Sequence, residues 1–99
     1  MSIEATLARI ASHPGVVGYF VLNDEGVALE YHGIDSTEIS SYAHTVHQFA
    51  TQARIGVRDL DPTNNLNFIR VRSDKDLEII ICPEGEFILA VLQKVSSQP

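Results

Sequence analysis

His44 and His47 stand three residues apart in a segment of helical pattern, a spacing that sets two imidazoles side by side where they could hold a metal ion. No third ligand is evident near them, and a partly exposed helical surface accounts for the pair more simply. Asp59, Asp61 and Asn64 are spaced like fragments of a calcium loop. The loop's glycine and closing glutamate are missing, so side chains closing a turn against their own backbone is the simpler account. Cys82 is the single cysteine and lies in an apolar run, where it reads as a small buried hydrophobe rather than a nucleophile. Asp24 with Glu25, and Glu84 with Glu86, fall at turn tips that point into water, unlike a working pair of carboxylates. The glycines are scattered and form no phosphate-cradling loop. With no converging set of reactive groups, the expectation is a protein that is not an enzyme and has no cofactor and no bound metal.

Arg70 and Arg72 raise a different question. Period two puts Phe68, Arg70 and Arg72 on one side of a strand, and Asn67, Ile69 and Val71 on the other. Charge on a strand usually guards a sheet edge against stray pairing. The sharper alternative is an edge that pairs with its own copy, the arginines meeting carboxylates across the seam. The residues alone favour the guarded edge.

The elements that must position these residues follow from periodicity. Ile3, Leu7 and Ile10 keep helical spacing over residues 3–11, with Ser2 as a cap, and His13-Pro14-Gly15 stops the helix. Residues 16–22 are β-branched and aromatic, a strand. Asn23 to Gly26 is turn chemistry, and residues 27–32 complete a hairpin. Asp35 or Ser36 caps a long helix over 36–57, in which Ile39, Tyr42, Ala43, Val46, Phe49, Ala50, Ala53 and Val57 form one stripe. Gly56 should weaken its end. Strands are expected over 66–72, 77–82 and 87–92. The last two are nearly solid apolar, so both faces of the sheet should be covered, one helix per face.

Composition bounds the answer. The chain has 99 residues, 44% hydrophobic and 20% charged, the size and make-up of one globular domain. Residues 1–95 are read as that domain and 96–99 as a frayed tail. A domain this small buries only about 60–65% of its unfolded surface and gains by pairing. A net charge of −6 argues against nucleic acid and against an anionic membrane surface. The opening residues lack a signal-peptide pattern and no apolar run is long enough to span a bilayer, so a reducing cytosolic setting is expected, without membrane insertion.

The residues also carry a family resemblance. Val16-Val17-Gly18 followed by Val21 to Gly26 is similar to the first hairpin of the roadblock family of dynein light chains. Ala53-Arg54, the run Val57 to Pro62, Asn64, Leu66 and Phe68 to Ser73 resemble its most distinctive block. Glu78 to Ile81, Pro83, Phe87 and Val91 to Gln93 fit its ending. The resemblance runs from about residue 3 to residue 94. Asn65 departs from the acid common there, Cys82 from alanine, and the loop 33–37 has little likeness.

The resemblance implies an α/β (α+β) fold of order α-β-β-α-β-β-β, with a five-stranded antiparallel sheet and one helix on each face. It further implies a homodimer that joins two sheets into a continuous ten-stranded one, which reverses the preference for a guarded edge. Val46, Phe49, Ala50 and Ala53 would then pack the helices, and Ile69, Arg70, Val71 and Arg72 would form the seam. Implied partners are the dynein intermediate chain and cargo, in a cytoplasmic, cytoskeletal or ciliary and axonemal setting. Relatives of the fold regulate or scaffold small GTPases, which is the main alternative. A small ligand sensor or enzyme is the third reading, and it requires a pocket with converging polar groups.

Overall fold

The computed structural model describes residues 3–94. The element order is α1 (Ile3–Ala11), β1 (Val16–Leu22), β2 (Ala28–His32), α2 (Ile39–Leu60), β3 (Ile69–Arg72), β4 (Leu77–Glu84) and β5 (Phe87–Lys94). All strand pairs are antiparallel, and the sheet runs β2-β1-β5-β4-β3. The expected five-stranded sheet with a helix on each face is therefore present. The expected cap Ser2 and tail 96–99 lie outside the described residues.

Each face has its own core. Ile39, Ala43, Val46 and Ala50 of α2 pack on Phe20, Leu22, Ile81, Ile88, Ala90 and Leu92. Leu7 of α1 packs on Val21, Leu89 and Val91, with Ile10 and Tyr19 beside them. Alternate residues of β1 and β5 feed opposite cores, which is why these central strands read as unbroken apolar runs. Each fully buried side chain of this kind stabilises the fold by about 1.5–3 kcal/mol.

The turns use side chains as struts. Asn23 Oδ1 accepts the N–H groups of Glu25 and Val27, at 3.0 and 2.9 Å. Gly33 sits at φ +78°, and a Cβ there would meet Val17 O at 2.2 Å, so only hydrogen fits.

β2 starts one residue later than the periodicity reading and β4 and β5 each run two residues further, and three other boundaries differ for a visible reason. The long helix starts at Ile39, not Ser36, because Asp35 closes its own turn first: its Oδ1 accepts both the N–H and the hydroxyl of Thr37. The N-cap position falls to Glu38, which makes no side-chain cap bond. The helix also runs past Gly56 to Leu60, since Gly56 faces open space and well-formed turns flank it. The third strand begins at Ile69 rather than residue 66. Continuing the β3–β4 register would set Asn67 opposite Pro83, which has no N–H to donate.

Candidate docking surface

β3 is a short edge strand, paired on one side only, with β4. Its register sets Arg72 directly opposite Glu78 and Arg70 opposite Ile80, while Ile69 and Val71 face the α2 side. Glu78 is 2% exposed, the one buried charged residue among those described. Its Oε1 accepts from Gln93 Nε2 at 3.3 Å and forms an ion pair with Arg70 Nε at 3.2 Å. Its Oε2 accepts from Arg72 Nε at 3.2 Å and Nη2 at 3.1 Å. Within the chain the arginines thus meet a carboxylate of their own neighbouring strand. A buried carboxylate without partners would be costly, so this clamp is what lets Glu78 sit inside a sheet.

α2 is longer than the layer it covers. Val46 and Ala50, expected to pack against a second helix, are 1% and 0% exposed and belong to the chain's own core. They have no surface left for a partner. Phe49 is exposed, Ala53 is half-buried, and Ile55 and Leu60 are exposed further along. The helix therefore presents apolar side chains that the described residues do not cover.

Two open grooves flank α2. One, of about 660 Å³, runs between Arg54, Ile55 and Arg58 of the helix and Leu66, Pro83 and Gly85. Arg58 Nη2 donates to Asn65 Oδ1 there. The other, of about 390 Å³, lies between α2 and the β2 edge and is lined by Tyr31, Ala43, His44 and His47. Neither is enclosed.

The residues that first suggested chemistry are placed plainly. His47 Nε2 lies 3.0 Å from Asp24 O, tying α2 to the hairpin tip, while His44 is exposed. Among the described residues, no three of His, Cys, Asp and Glu gather where they could hold a metal ion. Asp61 Oδ1 accepts the hydroxyl of Thr63 at 2.7 Å and its N–H at 3.0 Å, and these bonds hold the Asp61 carboxyl below its usual value. Asn64 Oδ1 accepts Asn65 N–H at 2.9 Å. Burial, and then the Glu84 carboxylate, push the Cys82 thiol up, which makes it a poor nucleophile.

Sequence reasoning missed two features. The buried clamp on Glu78 had a signal: a lone acid in an apolar strand, with two arginines across a four-residue turn. The His47 tie had none, because it depends on where α2 crosses the hairpin.

Architecture and edge together define an α+β sandwich of one antiparallel sheet between two helices, with an open, arginine-bearing edge. Residues 2–93 match the Roadblock/LC7 domain, and the chain belongs to that family. Its fold is shared with a Roadblock/LC7 domain from Streptomyces avermitilis (TM-score 0.80, 16% identity, 89% of this chain and 73% of that one). It is shared also with an MglB in a tetrameric arrangement (TM-score 0.75, 9% identity, 92% and 69%). A third is the gliding protein MglB of Thermus thermophilus (TM-score 0.74, 11% identity, 92% and 70%).

Proposed function

We propose that the chain is a non-catalytic docking module that works as a homodimer, the light chain of a dynein motor complex. One observation carries the reading. A strand edge that is open to pairing and an apolar helix surface that is open to packing occur on the same small domain. In the proposed dimer, β3 pairs with its copy through Ile69, Arg70, Val71 and Arg72, and α2 packs through Phe49 and Ala53. This fuses two sheets into one of ten strands. Pairing the edges adds main-chain hydrogen bonds, and packing the helices removes apolar area from water at about 25 cal/mol per Å². A two-fold platform then suits a partner that is itself dimeric.

The dynein assignment draws its support from the block Arg58-Asp59-Leu60-Asp61-Pro62 and its flanks. The partner is then the intermediate chain, in a cytoplasmic, cytoskeleton-associated setting, with assembly and cargo attachment as its roles. The alternative is a scaffold or regulator of small GTPases, favoured by the likeness to bacterial proteins, one of them a gliding protein. Capture of an intermediate-chain segment, set beside a panel of small GTPases, separates the two. Binding to the segment alone supports the light chain. Binding to a GTPase alone overturns it.

A further inference from the structure

The sheet face opposite α2 is only partly covered. α1 packs over β1 and β5. Arg70, Arg72, Glu78, Ile80 and Cys82 line the remainder, over β3 and β4. We propose that this strip docks an acidic, partly apolar segment of a partner protein, whose carboxylates are taken by Arg70 and Arg72. The proposal names the partner chemistry for the docking reading above, and rests on it.

Charge is the first argument. Two guanidinium groups share a single carboxylate, leaving one positive charge in excess on a chain whose net charge is −6. Geometry is the second. Glu78 engages the Nε of both arginines and the Nη2 of Arg72, and the side chains remain 57% and 62% exposed. The outer guanidinium donors therefore face water in a held orientation. A planar fork held this way binds a carboxylate in a bidentate manner and loses little rotamer entropy in doing so. Surroundings are the third. Half-buried Ile80 lies between the arginines and the α1 side, offering contact to an apolar side chain. If β3 pairs about a two-fold that lays both α2 helices on one side, all four arginines fall on the other. Like charges brought together across a strand pair repel, and an acidic ligand relieves that repulsion.

The test is fluorescence anisotropy of the full chain with a labelled peptide of alternating Glu and Leu. Its Gln/Leu counterpart and phosphatidylserine vesicles serve as the other arms. The Glu/Leu peptide should bind roughly tenfold or more tightly than Gln/Leu, weakening as salt rises. Arg70→Gln/Arg72→Gln/Glu78→Gln neutralises the whole cluster and strands no buried charge. It should lose binding by roughly the same factor, and Lys75→Gln should not. On the unaltered chain, the peptide should shift the Nε–H resonances of Arg70 and Arg72, a readout that needs no variant to fold. Equal binding of the two peptides, unmoved arginine resonances, or arginine-dependent binding to vesicles alone would overturn the proposal. Sedimentation of the same samples keeps the dimer separate: a monomer that still binds through the arginines sinks the dimer and leaves this site standing.

Discussion

Arg72 and Glu78 face one another across the β3–β4 ladder, and Arg72 grips Oε2 with both Nε and Nη2, at 3.2 and 3.1 Å. The acid is buried and the arginine is mostly in water. That asymmetry decides what each removal costs. Glu78→Gln frees two arginines that water can solvate, and should cost about 1 kcal/mol. Arg70→Ala/Arg72→Ala leaves a buried carboxylate with Gln93 alone, and should cost about 3 kcal/mol or more. Urea denaturation of the two variants gives the order directly. The reverse order would mean that Glu78 is not held by these arginines.

Two glycines with positive φ should behave differently. Gly33→Ala drives a Cβ into backbone at Val17 and Gly18, which cannot move aside, and should cost roughly 3 kcal/mol or more. Gly85 sits at φ +60° with nothing within 4 Å of a Cβ. Gly85→Ala should therefore cost only the backbone strain, about 1 kcal/mol. Thermal unfolding of both variants tests the contrast.

The strands and the helix-per-face arrangement were readable because β-branched and aromatic runs mark β1, a 3.6-residue stripe marks α2, and the unbroken apolar runs of β4 and β5 call for cover on both faces. The start of α2 was not, because Asp35, Ser36 and Thr37 all have capping side chains and only geometry shows that Asp35 closes a turn of its own. Val46 and Ala50 show a second limit. A stripe on a helix says which residues avoid water, not whether sheet or second copy provides the shelter. Arg70 and Arg72 were placed on the correct side of their strand, but their carboxylate was sought in another chain. The nearer partner, Glu78, was hidden in an apolar run.

Asp61 and Asp35 are each bonded by a threonine two residues on, with a different leading cause. For Asp61 the Thr63 hydroxyl lowers the carboxyl most, then the Thr63 amide. For Asp35 the Thr37 amide leads and its hydroxyl follows. Thr63→Val and Thr37→Val should each raise the carboxyl they serve toward its usual value. Both carboxyls titrate below their unfolded value, so each stabilises the fold above about pH 3.8, and that contribution is lost as pH falls through the folded value. Carboxyl carbon shifts followed by NMR through acid give the two values.

Phe49 is exposed on α2, so Phe49→Glu should leave the fold intact. In the proposed dimer it places a charge between apolar helices and should weaken association roughly tenfold or more. Sedimentation velocity over a dilution series measures that shift. An unchanged dimer would remove Phe49 from the interface.

Isotope-filtered NOE spectroscopy on an equimolar mixture of labelled and unlabelled chain reads the contacts of Ile69 to Arg72 with a second copy. The account predicts cross-copy backbone contacts along β3, which occur only if two sheets share that edge. Their absence at a concentration where the chain sediments as a dimer would place the interface elsewhere. A monomeric chain whose β3 amides exchange freely with water would contradict the account altogether.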